Sequence, residues 1–382
     1  MSTNSTTTKR RNAFSAFLDG IRDRWAGAPV WQRWIVYVAL FVIALLLPSE
    51  SFGHFMSPYS DWASVLFFPI GTYVVLAIGL NVVVGQAGLL DLGYVAFFAI
   101  GGYSMALLGT KLGLNFWEIL VVGVLLSALS GVVLGGPTLR LRGDYLAIVT
   151  LGFGEIVRQT AENTDAIGGP RGIAGIPHPP SFDGVELFGV QIFHYGVLDP
   201  RPYYYLLVVV ATAIIIFVKR WEKSRVGRAW AAIREDEDAA EVMGVPTFKF
   251  KLLAFAIGAS IGGAMGVVWA GKTISINPND FLFMLSATIL AAVVLGGSGN
   301  IPGVILGAFL VAWLPERFRG LSEYRTMVFG AALVALMIFR PEGLLPSRRR
   351  KAELAEGTGG MGSMGAEVPG PESQPAAEGA SK

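Results

Sequence analysis

Few side chains in this chain could do chemistry, and those few stand apart. There is no cysteine among the 382 residues, which removes thiolate nucleophiles, Cys-ligated metals and disulfides together. The three histidines, His54, His178 and His194, lack the spacing that would let two of them share a metal ion, so isolated loop positions are expected and no metal site. The chain reads as lacking a P-loop, a Ser-centred nucleophile elbow or an HExxH helix, and no catalytic residue is assigned. What remains is a handful of polar groups set in apolar surroundings. The string GQAGLLDLGYVAFFAIGGY, residues 85–103, brings together Gln86, Gly88, Asp91 and Gly93. A carboxylate near or within a membrane is costly unless it faces water or a partner. Asp91 therefore either caps the following helix or lines a path through the bilayer. Glu155 and Arg158 are three residues apart on one helical face, where they neutralise each other or form a gate.

The elements that must position these groups follow from composition. Hydrophobic residues make up 53% of the chain and charged residues 15%, with a mean hydropathy of +0.55, a balance that suits lipid rather than water as the solvent. Apolar stretches recur near 34–48, 64–84, 90–109, 116–136, 145–160, 203–218, 251–270, 283–299, 301–316 and 324–340. They predict an all-α polytopic helix bundle with about ten transmembrane helices. The net charge of +2 gives no reason to expect a nucleic-acid partner. Basic residues alternate between the loops: Lys9, Arg10, Arg11, Arg22, Arg24 and Arg33, then Arg140 and Arg142, the run from Lys219 to Lys251, and Arg348 to Lys351. By the positive-inside rule these lie in the cytoplasm, with both termini. The expected organisation is a cytoplasmic segment 1–33, a transmembrane domain 34–340 with an outer loop at 161–202 and an inner segment at 219–250, and a tail 341–382 too polar to order fully.

Glycines recur at helix-packing spacing, Gly258, Gly262 and Gly266 in one span and Gly299, Gly303 and Gly307 across the next connection, and small residues let membrane helices approach. Between the sixth and seventh spans, residues 228–243 are Ala-rich and free of Gly and Pro, predicting one short surface helix that stops at Gly244. It would be either a solvated connector touching lipid head groups or a docking element for a soluble protein.

Several separated strings resemble one family. They are GLNVVVGQAGLLDLGYVAFFAIGGYS, TLRLRGDYLAIVTLGFGEIVRQT, the GGPRGI loop, GRAWAAIREDEDAAEVMG, IPGVILGAF and EYRTMVFGAALVALMIFRPEGLLPSRRR. Together they are similar to the LivM-type permease subunits of bacterial ABC importers for branched-chain amino acids. The resemblance implies a type II ABC importer-like permease in the bacterial inner membrane that takes up leucine, isoleucine and valine. It implies a LivH-type second permease, two ATPases, LivG-like and LivF-like, that hold ATP and Mg, and an extracytoplasmic binding protein, with no cofactor in this chain. Family permeases carry an EAA-x3-G loop that docks on the ATPase, and the matching residues here are Asp238, Ala239, Ala240 and Gly244, with Asp in place of Glu; Arg228, Arg234 and Glu237 flank them in the expected coupling set. Urea, another small amino acid or an organic acid is the alternative cargo within the family. An ion-coupled secondary transporter or channel using Asp91 or Glu155 is the alternative from another class.

Overall fold

The computed structural model describes residues 29–49, 60–139, 141, 143–181 and 199–318, with isolated positions at 53, 56, 186–187, 190–191, 194–196, 327, 330, 331, 334 and 343–345. His54, Arg140, Arg142, the basic residues Lys9 to Arg24 and Arg348 to Lys351, and nearly all of the expected span at 324–340 lie outside the described residues. Two units divide the chain. The first, Met1–Phe52, contributes α1 (Val30–Leu46), on which Ile35, Val38, Leu40 and Ile43 each expose more than half of their surface, as a lipid-facing helix would.

The second unit, Gly53–Lys382, holds α2 (Trp62–Gln86), α3 (Val95–Leu112), α4 (Phe116–Thr138), α5 (Asp144–Asn163) and α6 (Arg201–Glu222). Beyond these come α7 (Arg225–Glu235), α8 (Glu237–Val242), α9 (Thr247–Thr273), α10 (Phe283–Gly296) and α11 (Ile301–Arg317). Six stretches among the described residues are long and apolar enough to cross a membrane: α2, α3, α4, α6, α9, and α10 with the turn before it. The protein is thus an all-helical polytopic membrane protein. The expected spans at 34–48 and 301–316 are helices of 17 residues, about 26 Å long against a hydrocarbon core of about 30 Å. The expected span at 145–160 is α5, whose 20 residues include Asp144, Glu155, Arg158 and Glu162.

α9 is the axis of the unit. It is apolar on all sides and buried along most of its length, so it needs neighbours on every face. Small residues supply the fit on two of them. Toward α2 and α3, Gly258 lies on Val83, Gly262 on Tyr94 and Phe97, and Gly266 on the backbone of Gly101 and Gly102. Toward α4, Gly263 lies on Ser127, and Gly131 sits 2.8 Å, by an added Cβ, from the methyl of Ala259. Gly303 and Gly307 of α11 pack on the backbone of α10 at Gly296 and Ala292. Gly299 does not continue their row, because it lies in the α10–α11 turn with φ +84°, ahead of the first helical residue Ile301. Its N–H instead donates to Asn81 Oδ1 at 2.8 Å.

Two short ribbons complete the described fold. β1 (Ile173–Ala174) pairs antiparallel with β4 (Ser275–Ile276), joining the GGPRGI loop to the chain leaving α9. β2 (Glu186–Leu187) pairs with β3 (Val190–Gln191). Leu344 and Leu345, placed by sequence in the tail, donate backbone hydrogen bonds to Leu295 and Gly296 at 2.8 and 3.1 Å.

Candidate functional site

α2 loosens before it ends. Over Asn81–Gln86 its turns widen, with Ala87 N bonded to Val82 O at 3.2 Å and Leu89 N to Val83 O at 3.0 Å. Gly88 follows with φ +74°, a conformation a side chain would strain. The chain then crosses to α3 through a buried turn. Asp91 is fully buried, and its Oδ1 accepts from Gly93 N at 2.9 Å. Asp91 does not cap α3, as the capping reading expected: the residue at the helix start is Tyr94, which makes no side-chain cap, and Asp91 closes the turn ahead of it. Leu92 N donates to Thr150 Oγ1 of α5 at 3.0 Å. Gly93 lies directly on the Thr150 carbonyl, where no Cβ fits. Tyr94 OH donates to Gly258 O of α9 at 2.8 Å, and Val95 N to Ser286 Oγ of α10 at 2.9 Å. Gln86, Gly88, Asp91 and Gly93 therefore share one junction where α2, α3, α5, α9 and α10 meet.

That junction is polar and incompletely satisfied. Among the described residues six buried side-chain atoms lack a hydrogen-bond partner, and four of them are here: Asn81 Nδ2, Gln86 Nε2, Gln86 Oε1 and Asp91 Oδ2. Buried polar groups are nearly always paired, so this concentration sets the junction apart from the apolar packing around it. Glu155 and Arg158 act elsewhere on α5. Arg158 Nε donates to both carboxylate oxygens of Glu155 at 3.0 and 3.1 Å, and its NH1 to Glu162 at 2.7 Å. The bonds run along one face of α5, so the two charges are paired within that helix.

Residues 228–243 depart from the single helix their composition predicts. Asp236 adopts extended backbone, φ −155° and ψ 112°, and its side chain accepts from Ala239 N at 3.0 Å. Asp thus caps a second helix instead of continuing the first, the usual competition between this side chain and helical hydrogen bonding. The result is two helices, α7 and α8, separated at Asp236. α7 buries Ala229, Trp230 and Ile233; Trp230 stacks on Trp221 of α6 and donates to Phe250 O at 2.7 Å. Arg234, half-buried, donates to Gly85 O at the loosened end of α2. Glu237 pairs with Lys251 of α9, whose side chain is only 3% exposed. Ala240 is buried, whereas Arg228, Asp238, Ala239 and Gly244 are exposed, with Val242 at 87% and Met243 at 83%. The expected stop at Gly244 is present, at φ +84°.

Two motif patterns read as missing from the chain are spelled in it without their chemistry, and one histidine expected to be isolated is not. Residues 266–273, GVVWAGKT, do spell the P-loop pattern. They run inside α9 to its end at Thr273, so their N–H groups serve helical bonds and form no phosphate cradle, and Lys272 Nζ lies over the Tyr203 ring at 5.2 Å. GASIG, residues 258–262, spells a nucleophile elbow, yet Ser260 is mid-helix and donates to Ile257 O at 2.7 Å. His178 is not isolated: its Nδ1 lies 2.5 Å from Tyr203 OH and 3.1 Å from Gly271 O. His194 is exposed, and no group of potential metal ligands occurs among the described residues. Sequence reading missed Thr150, Ser286, Trp230 and Lys251. Only Lys251 carried a signal, as a cation at the mouth of a long apolar run.

Residues 64–339 match the protein family described as the permease component of branched-chain amino acid transport systems. The chain belongs to that family. It is a branched-chain amino acid transport permease, a transport subunit and not an enzyme. It is 42% identical over 336 residues to the high-affinity branched-chain amino acid transport permease protein LivM of Salmonella typhimurium strain LT2, covering 83% of this chain and 77% of that one. The Escherichia coli K12 LivM permease is 41% identical over the same shares. The E. coli K12 LivH permease is more distant, 26% identical over 294 residues, 72% of this chain and 91% of that one. No solved structure matches the chain.

Proposed function

We propose that this branched-chain amino acid transport permease is the LivM-type half of an ATP-driven importer for leucine, isoleucine and valine. α8 receives work from a separate ATPase, and the junction at Asn81–Val95 is part of the gated path. The observation that carries this reading is the outer face of α8. Val242 and Met243 are almost wholly exposed beside Asp238 and Ala239, on a helix held from behind by the Asp236 cap and the Glu237–Lys251 pair. A short helix with an apolar tip and a braced back suits docking into a cleft. In this reading α7 and α8 are cytoplasmic, as are both termini. The transmembrane domain reaches ten spans and has a type II importer-like arrangement, with a LivH-like chain supplying the other half. LivG-like and LivF-like subunits hold ATP and Mg, and an extracytoplasmic protein delivers the amino acid to the outer face.

Buried Asp91, with one unpaired oxygen, supports a second reading in which the residue carries a coupling proton. Proteoliposomes separate the two. An ATP-driven permease moves leucine only with its ATPases and internal ATP; a secondary transporter moves it under a proton gradient with this chain and no ATPase.

A further inference from the structure

We infer that Arg234 is the positioning residue through which the α7–α8 pair controls the Asn81–Val95 junction, an inward link and not a docking contact. The inference rests on the proposed function, since it needs an ATPase to move α8. Arg234 leaves the α7 face that also carries Trp230, one turn earlier, and turns toward the membrane helices. Its guanidinium donates to Gly85 O, a carbonyl that the loosening of α2 leaves without a regular helical partner. Its stem lies along Gly88: a Cβ there would come within 2.9 Å of Arg234 Cγ and 3.2 Å of its Cβ. The side chain thus holds the end of α2 at two points, Gly85 and Gly88 just beyond it. A delocalised fork suits this role better than an ammonium, because it holds direction as well as charge.

What Arg234 grips is the segment best suited to two arrangements. The four unpaired polar atoms of Asn81, Gln86 and Asp91 lie on it, and its bonds reach α5 at Thr150, α9 at Gly258, α10 at Ser286 and the α10–α11 turn at Gly299. A shift at Gly85 therefore changes contacts on four elements at once. In a second arrangement Gln86 and Asp91 can gain the partners they lack here. Trp230 and the Glu237–Lys251 pair fasten the same helices to α9, so α9 is the fixed side and the end of α2 the moved one.

The test uses the complete importer, this chain with its partner permease and ATPases, in proteoliposomes with the binding protein. Three quantities are read: ATPase retained on purification, ATP hydrolysed, and leucine imported per ATP. Because the chain has no cysteine, Leu90→Cys adds a single maleimide-reactive site on the junction. With Arg234 present, ATP should change the labelling rate at position 90. Arg234→Ala should keep the ATPases bound and hydrolysing, lose the ATP-dependent change in labelling, and lower leucine imported per ATP about tenfold, the scale of one charge-assisted hydrogen bond. Arg234→Lys should recover part of both, and it serves as the test if the alanine variant fails to assemble. Loss of the ATPases from a correctly inserted Arg234→Lys or Arg234→Ala chain would overturn the inference by making Arg234 a docking contact. Unchanged labelling response and unchanged import per ATP would overturn it by making the link idle. Failure of the wild-type chain to hold any ATPase would instead defeat the proposed function.

Discussion

Gly101→Ala tests whether backbone contact between α3 and α9 holds the bundle together. A methyl group at Gly101 would lie 2.7 Å from both Cα and the carbonyl carbon of Gly263 and closer still to its oxygen. These are backbone atoms, so no rotamer change relieves the overlap. The helices must part by roughly an ångström to restore van der Waals distance, and overpacking of this kind costs about 1–3 kcal/mol. Gly152→Ala is the matched control, because Gly152 in α5 has nothing within 4 Å of an added Cβ, and alanine there should gain about 0.5–1 kcal/mol of helix stability. Thermal unfolding of the purified permease in detergent reads the difference, at roughly 2–4 °C per kcal/mol. Gly101→Ala should unfold several degrees below the wild type and Gly152→Ala at or above it. Equal midpoints for Gly101→Ala and wild type would refute close α3–α9 packing.

Other expectations concern the α7–α8 pair and the junction. Asp236→Ala removes the cap of α8 at a cost of about 1 kcal/mol, so amide exchange across 237–243 should speed up while α7 is unaffected. Glu237→Ala strands Lys251, 3% exposed, and should cost about 3–5 kcal/mol. Lys251→Met leaves Glu237, 28% exposed, able to reach water and should cost about 1 kcal/mol or less; thermal midpoints in the reverse order would contradict the burial. Asp238→Lys and Gly244→Trp should reduce co-purifying ATPase without reducing membrane insertion, measured by immunoblot of the membrane fraction. Tyr94→Phe removes the bond to Gly258 O and should lower stability by about 1 kcal/mol, again read as a midpoint shift.

The membrane character and most helices were legible because apolar length is a strong signal, and the structure gives helices where the sequence predicts spans within the described residues. The break inside 228–243 was not, because Asp236 is tolerable in a helix and caps one only when its backbone extends, as it does here. Gly299 looked like the start of a four-residue row, but spacing alone does not reveal a turn with positive φ. The GVVWAGKT and GASIG strings show the converse: a spelling without its strand–loop–helix surroundings has no chemistry. At the junction, Gln86, Gly88, Asp91 and Gly93 were visible as a cluster of unusual residue types. Their neighbours Thr150 and Ser286 were not, since a hydroxyl in an apolar helix is ordinary until its partner is known.

If an ATPase docked on α8 moves this chain, the effect is read in ATP-driven leucine uptake by proteoliposomes holding the complete importer, compared between wild type and Asp238→Lys. Uptake should require internal ATP in the wild type and should collapse, with the bound ATPase, in the variant. Leucine uptake by this chain under a proton gradient with no ATPase present, equal in wild type and variant, would contradict it.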